Sequence, residues 1–403
     1  MDKNKMKILY ISSEYPPQTG FGGIATYTRY MAEAMASMGH QVHVICRSID
    51  QESHYVQNGV NVHRVPCGPY PLPVGSFWYP LRRLSYKMIS QSLNRLAWAR
   101  TVYKEYIRLS AENSFDVIEY PECGAEGYYL TFKRLPLVVR LHTPWTIVRR
   151  LNRIREHPLD CWLQEYMEQR SITHAKVVTS PSNALAAMLQ KEWHIRKAEV
   201  FPNPLPVNRF KSEKTGSQWI YTGRLEYRKG VHLLVRAYKM VCKTHNPPPL
   251  LLVGRGFGDM PDGKPYIQYI KDLISEFNLE EKIRIIEGVN QSEIPDYLQT
   301  STVAFFPSLW ENYPYSCLEA MAAKTAVCGS NCGGFPEIIE DGKNGVLFNC
   351  NDYYSLAEKM KWFLENKEAT QDLANLAQLH IDNNYNPAQI CKRALQVYQS
   401  IIA

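Results

Sequence analysis

Short apolar runs alternating with amphipathic stretches set the pattern of the chain. Lys7-Ile-Leu-Tyr-Ile-Ser12 is the first such run and predicts a buried strand. A polar loop bearing prolines and glycines follows, Glu14-Tyr-Pro-Pro-Gln-Thr-Gly-Phe-Gly-Gly23. Residues 24–38 then predict a helix closed by Gly39 as a C-terminal cap, and Gln41-Val-His-Val-Ile45 predicts the next strand. Strand, loop, helix and strand in that order open a parallel α/β sheet. Further strands are expected at residues 116–119, 137–141, 177–180 and 199–201.

Pro202-Asn-Pro-Leu-Pro206 interrupts this series, because closely spaced prolines exclude both a helix and a central strand. A second series begins after it, with strands expected at residues 219–222, 249–253, 282–286 and 303–306 and helices at 231–243 and 266–277. Two such series joined by a stiff linker predict an α/β fold of two Rossmann-like, doubly wound domains facing each other across a cleft. Their expected bounds are residues 1–204 and 205–382, and the last helix, within 383–403, could pack back on the first domain. No short-period repeat or low-complexity tract interrupts the pattern.

The length of 403 residues fits this division, since one hydrophobic core rarely covers so long a chain. No apolar stretch reaches the roughly 18 to 20 residues that span a bilayer. The first residues, up to Lys7, are charged and run directly into a strand, unlike a signal peptide, so a cytoplasmic protein is expected. Ten scattered cysteines include no Cys-x-x-Cys pair and no Cys/His cluster at zinc spacing, and read as reduced thiols. Net charge is +7, but residues 1–205 carry +8 and the remainder −1. An anionic partner is therefore expected to meet the first half.

Candidate chemistry falls in the loops after strands. Gly20-Phe-Gly-Gly-Ile-Ala25 has the form of a dinucleotide fingerprint, but its glycines lie well beyond the strand. The second strand also ends in Cys46 and Arg47, not in a ribose-binding acid. A glycine loop at a helix start, whose bare N–H groups can approach an anion or a sugar, fits better; a plain turn is the alternative. Tyr221-Thr-Gly-Arg-Leu-Glu-Tyr-Arg-Lys-Gly230 opens the second series. Arg224 and Lys229 at the end of its first strand would suit a diphosphate, although a basic turn on a solvated surface reads the same way.

Pro307-Ser-Leu-Trp-Glu-Asn-Tyr-Pro-Tyr-Ser-Cys-Leu-Glu-Ala-Met-Ala322 is the most informative stretch. A helix is expected to start at Ser316 or Cys317, with Glu311 before it and Glu319 in its first turn. Two carboxylates beside an anion would repel it, so hydroxyl groups are their natural partners. Sugar hydroxyls for Glu311, ribose hydroxyls for Glu319 and phosphate oxygens for the helix start satisfy that condition. Gly333-Gly-Phe-Pro-Glu337 and Asp341-Gly-Lys-Asn-Gly345 follow as turn segments.

The order of these segments, from about residue 7 to 364, resembles the retaining family 4 glycosyltransferases of GT-B fold. That resemblance implies that Gly22 and Gly23 face the donor diphosphate and the acceptor, and that His142 lines the donor sugar near its anomeric carbon. It further implies that Arg224 and Lys229 clamp the diphosphate, Glu311 holds the donor sugar and Glu319 the ribose. Tyr315, Ser316, Cys317 and Leu318 would offer the helix start, and the base would lie near Gly254, Arg255, Gly288 and Val289. A UDP-sugar, glucose above all, is the donor the resemblance favours, with a saccharide or lipid-linked glycan as acceptor and no cofactor. Where the family usually has Gly-Phe-Gly after the first Glu, this chain has Asn312-Tyr313-Pro314, which bears on the identity of the donor sugar.

No Asp-x-Asp occurs, so a metal-independent reaction is expected, with Arg224, Lys229 and a helix start in the electrostatic role. Alanine at Lys229 or Glu319 is expected to abolish donor binding with little change in the ligand-free melting point. A phosphorylase or sugar-nucleotide epimerase on the same fold, and an inactive sugar-nucleotide-binding partner, are the alternatives. Residues 78–108 carry Arg82, Arg83, Lys87, Arg95, Arg100, Lys104 and Arg108, interleaved with Trp78, Tyr79, Tyr86 and Trp98 and preceded by Phe77. Arg149, Arg150, Arg153 and Arg155 extend the basic character. Peripheral contact with an anionic membrane and a solvated helix over core aromatics are both compatible with this stretch. Nucleic acid is not expected, because no reading motif accompanies the charge.

Overall fold

The computed structural model describes residues 5–20, 22–72, 79–210 and 215–401, and for 79–82 the backbone alone. Phe77 and Trp78, the side chains of Tyr79 and Arg82, and the last residue of the predicted final helix lie outside the described residues. The chain forms two compact units, one of Met1–Ile147, Arg155–Pro204 and Pro387–Ala403, the other of Val148–Ile154 and Leu205–Asn386.

The first unit opens with β1 (Lys7–Ile11), α1 (Gly23–Ser37) and β2 (Gln41–Arg47). A hairpin of β3 (Ser53–Gln57) and β4 (Val60–Val65) follows, then the long α2 (Tyr79–Ser110) and β5 (Val117–Pro121). The rest comprises β6 (Leu137–Arg140), α3 (Trp145–Leu151), α4 (Pro158–Thr173), β7 (Val177–Ser180), α5 (Asn183–Trp193) and β8 (Glu199–Val200). Eight strands pair in the order β3-β4-β2-β1-β5-β6-β7-β8, parallel except for β3 with β4. The order reverses at β1, which has β2 on one side and β5 on the other, and ligands of open α/β sheets bind at the carboxyl ends of such strands.

The second unit carries β9 (Gln218–Thr222), α6 (Val231–Val241), β10 (Leu250–Val253), α7 (Tyr266–Glu276) and β11 (Ile283–Ile286). They are followed by α8 (Ile294–Gln299), β12 (Ser301–Phe306), α9 (Tyr315–Ala322) and β13 (Ala326–Ser330). The short α10 (Phe335–Ile338), β14 (Val346–Phe348), α11 (Tyr353–Glu365) and α12 (Lys367–Asn384) complete it. Its six strands are all parallel, in the order β11-β10-β9-β12-β13-β14, with the switch point between β9 and β12. Leu250, Leu252, Val303 and Phe305 on the strands and Val231, Leu234 and Tyr238 on α6 share one buried core. The final helix, α13 (Pro387–Gln399), belongs to the first unit, where the Tyr398 hydroxyl bonds Glu119 on β5 at 2.6 Å.

Candidate active site

In the second unit both loops at the switch point carry the charged residues. After β9 the chain passes Gly223 and Arg224 into a single helical turn, Tyr227–Lys229, which ends at Gly230 with φ +67°. A Cβ on Gly230 would overlap the carbonyl of Pro307, so only glycine lets the loop after β9 lie against the loop after β12. Leu309 then donates its amide to the Arg228 carbonyl at 2.7 Å, zipping the two loops together.

This packing builds a buried charge cluster. Arg228 donates to Glu311 at 2.7 Å and pairs with Glu226 at 2.9 Å, while Lys229 Nζ also contacts Glu311. Burial alone would push the Arg228 guanidinium down; the charges of Glu311 and Glu226 overcome it and hold it up. Burial would likewise raise Glu311, but Arg228 and Lys229 hold its carboxyl below the usual range. The same burial lowers Lys229 in spite of Glu311 beside it. Arg224 is half-exposed, lies over the Phe257 ring and reaches Glu226 at 3.3 Å. Asn152, from the Val148–Ile154 segment, supports the turn from behind. It donates to Glu226 at 2.9 Å and accepts the Arg228 amide at 2.9 Å.

Beyond Glu311 the loop is fixed by Gly334, whose amide bonds the Glu311 carbonyl at 2.9 Å. Gly333, at φ +58°, touches that same carbonyl so closely that a Cβ would overlap it. α9 starts at Tyr315, one residue before the expected point, and places Glu319 in its second turn. Pro314 is its N-cap without a side-chain hydrogen bond, and its carbonyl accepts from Cys317 at 3.1 Å and Leu318 at 3.4 Å. Those two amides are therefore engaged by the helix itself, and the first turn presents Tyr315 and Ser316 ahead of them.

Glu319 is buried, and its Oε1 has no hydrogen-bond partner among the described residues. Burial raises its carboxyl to about 7, against the Arg209 charge and a bond from Gln291. An unsatisfied buried carboxylate oxygen is costly, and a hydroxyl donor from a ligand would satisfy it. Gly254 follows β10, and the Arg255 carbonyl accepts the Leu225 amide at 2.7 Å, so this pair lies beside Arg224. Gly288 and Val289 follow β11 at the sheet edge; the link from that edge to Glu319 runs through Gln291.

The first unit holds the remaining candidates at its own carboxyl edge. Gly22 is the N-cap of α1 and Gly23 its first residue, with no side-chain cap, and the Gly22 carbonyl accepts from Thr26 at 3.0 Å. His142 follows β6, and its amide donates to both oxygens of Glu122 at 2.9 and 2.8 Å. The Thr143 amide adds a third bond to Glu122, at 2.7 Å. Burial raises Glu122 to about 8 despite these donors. The His142 ring packs edge-on against Tyr27, and desolvation, then the Arg140 charge, lowers its pKa to about 3. It is a neutral imidazole at physiological pH.

Glu122, Glu226, Arg228 and Asn152 were not singled out in the sequence. Arg228 stood inside the Gly-Arg-Leu-x-x-x-Lys-Gly segment, and Glu122 directly follows β5, in the position of a loop at a strand's carboxyl end. Asn152 had no local signal. In the basic stretch, Trp98 is buried beneath Arg47 and Arg95 pairs with Glu168 at 2.8 Å, whereas Leu84 and Tyr86 are exposed. No helix among the described residues is long and apolar enough to cross a membrane.

Residues 207–380 match the family of glycosyl transferases group 1, and residues 22–205 match the glycosyl transferase 4-like domain. The chain belongs to the family 4 glycosyltransferases of GT-B fold. An uncharacterized glycosyltransferase of Methanocaldococcus jannaschii is 25% identical, with 98% of each chain covered. The glycogen synthase of Mycobacterium tuberculosis is 24% identical over 98% of this chain and 94% of its own. Among solved structures, sucrose-phosphate synthase from Thermosynechococcus elongatus superposes with a TM-score of 0.79 at 18% identity, covering 98% of this chain and 99% of its own. Anabaena HepE in complex with UDP-glucose gives 0.71 at 18% identity, covering 98% of this family 4 chain and all of its own. Both sheets of the glycosyltransferase, apart from the β3–β4 edge, are thus the parallel Rossmann-like sheets of GT-B enzymes.

Proposed function

We propose that this glycosyltransferase moves a hexose, glucose as first choice, from a UDP-sugar to a hydroxyl of a saccharide or lipid-linked glycan, with retention of anomeric configuration and without a metal ion. The observation that carries the proposal is the junction of the loops after β9 and β12, where Arg224, Arg228 and Lys229 meet Glu311 ahead of the start of α9. In this reading Arg224, the half-exposed cation, and Lys229 neutralise the leaving diphosphate, and the Ser316 amide takes a phosphate oxygen. Glu311 shares its carboxylate between Lys229 and hydroxyls of the donor sugar, and the unsatisfied Glu319 oxygen accepts from the ribose. His142, neutral and anchored through Glu122, is a hydrogen-bonding wall for the sugar and not a proton donor. The departing diphosphate leaves an oxocarbenium-like centre, the acceptor hydroxyl attacks from the same face, and its proton passes to the leaving phosphate.

Anabaena HepE, solved with UDP-glucose, and the glycogen synthase relative favour a glucosyl donor. The Asn312-Tyr313-Pro314 loop is where the choice of sugar would be made, and Tyr313 is tied to Tyr385 at 2.7 Å. A thermal-shift panel of nucleotide sugars with and without EDTA tests the proposal, since a ligand stabilises the folded state with the logarithm of its concentration over Kd. A shift with UDP-glucose that survives EDTA supports it; a shift that EDTA removes ends the metal-free mechanism. Free UDP that accumulates only when an acceptor is present separates a transferase from an epimerase. For the lipid-linked acceptor, exposed Leu84 and Tyr86 beside Arg83 and Lys87 would meet an anionic membrane surface, with the enzyme acting in the cytoplasm. Flotation with anionic vesicles at low salt checks this, and failure to bind leaves a soluble saccharide as the acceptor.

A further inference from the structure

Three histidines gather on one face of the first unit's sheet, apart from every residue assigned to the donor. His43 stands on β2, His54 on β3 and His63 on β4, and His54 and His63 are paired across the antiparallel ladder. The Nδ1 atoms of His54 and His63 point at each other across 3.1 Å. Glu105 of α2 brings its Oε1 to 3.8 Å from the His63 Nδ1. One ligand atom from each of His54, His63 and Glu105 lies within 4.8 Å of the other two.

These spacings have a coordination meaning. Zinc holds nitrogen and oxygen ligands at about 2.0–2.2 Å in a tetrahedron, whose edges are then about 3.3–3.6 Å. Two of the three edges, 3.1 and 3.8 Å, bracket that length and the third is no longer than 4.8 Å, so small side-chain movements would close the site. We propose that His54, His63 and Glu105 bind a divalent cation of the zinc class, which fastens the β3–β4 hairpin to α2. His54 is part-exposed, leaving the fourth position to water, while His63 and Glu105 are nearly covered.

The surroundings fit a metal. Glu52 accepts from the far nitrogen of His54 at 2.8 Å, the carboxylate support that ligating imidazoles usually have. His63 meets His43 through its other nitrogen at 2.9 Å, and His43 in turn meets Gln41 at 3.2 Å. Metal on the His63 Nδ1 requires its proton to sit on Nε2, so His43 changes tautomer and the Gln41 amide turns over. Each imidazole then binds as a neutral ring that keeps one N–H for its second partner. Arg108 pairs with Glu105 at 2.6 and 2.8 Å, an outer-sphere partner that leaves each carboxylate oxygen a further lone pair. Glu52 and Glu105 together outweigh Arg108, so the site favours a cation.

Full-length protein stripped with a chelator and dialysed is titrated with zinc chloride by calorimetry and melted with and without zinc. The expected result is one zinc per chain and a raised melting point. His54→Ala, at a part-exposed position, is expected to weaken binding by about 100-fold or more and remove the rise, with the zinc-free melting point unchanged. The cobalt-substituted protein should show tetrahedral nitrogen and oxygen ligation without thiolate charge transfer. Absence of saturable binding, equal binding by His54→Ala, or a thiolate band that places the metal on the cysteines would each overturn the proposal.

Discussion

Glu319 is the residue whose chemistry is most exposed to test. Its carboxyl, raised to about 7 by burial, is partly protonated in the ligand-free protein at neutral pH. Ribose hydroxyls donating to it would favour the ionised form, so binding lowers its pKa and affinity must rise with pH through about 7, then level off. Calorimetric titration with UDP between pH 6 and 8 reads this directly, and Glu319→Gln is expected to flatten the profile and weaken binding about 10- to 100-fold. Affinity that falls over that range would reverse the assigned role. Lys229 carries a second expectation that the geometry revises. From the sequence, its replacement by alanine should leave the ligand-free protein unchanged. In the structure Lys229 and Arg228 share Glu311 in a buried cluster, and removing Lys229 leaves that buried carboxylate to Arg228. Breaking a buried pair from one side costs about 3–5 kcal/mol when the partner is left without a countercharge, and less where a second cation stays. Lys229→Ala should therefore lower the ligand-free melting point by several degrees as well as abolish the donor shift, and an unchanged melting point would show the cluster to be solvated.

At the scale of elements, the parallel strands were legible because buried strands are written as short apolar runs; β1, β7, β9 and β12 all stand where such runs stand. The β3–β4 hairpin was not read, since β3 is the edge strand and both strands mix polar with apolar residues. Its Asn58-Gly59 turn, with φ of +49° and +79°, was the available signal. Strand β13, Ala326-Val-Cys-Gly-Ser330, is written in small residues and not in a bulky apolar run, and β14 has three residues only. The charged motif positions were visible, but their partners Asn152 and Arg228 come together only through tertiary packing, which spacing along the chain does not encode. The two loops at the β9/β12 switch point depend on glycines for that packing. Gly333→Ala would force a side chain into the Glu311 carbonyl at a left-handed backbone position. A cost of at least about 1–3 kcal/mol in melting, together with loss of the donor shift, is expected. A variant that melts like the parent and still binds would detach Gly333 from the Glu311 loop.

Across the whole molecule, several buried titratable groups share one direction of shift, and their sum predicts how stability follows pH. Burial raises Glu122 to about 8 and Glu126 and Glu319 to about 7, from an ordinary value of 4.5. The folded protein therefore holds these protons more tightly than the unfolded chain. Their stabilising effect is complete below about 4.5 and is lost as pH rises through 7 to 8. Buried His142 and His232 work from the other side, lowered from 6.5 to about 3 and about 4. Their contribution is complete above 6.5 and is lost as pH falls towards those values. The melting point should accordingly decline on both sides of a weakly acidic range, with the alkaline limb running from about 6.5, where the histidines stop compensating, to about 8, where the last of these carboxyls has ionised. Differential scanning fluorimetry from pH 4 to 9 measures both limbs. Glu126→Gln, which fixes a neutral group at one of the three positions, should make the alkaline limb shallower. A melting point that stays level from pH 7 to 8 would mean that these carboxyls are already ionised in the folded protein, with the bonds from His142 and Thr143 to Glu122 outweighing its burial.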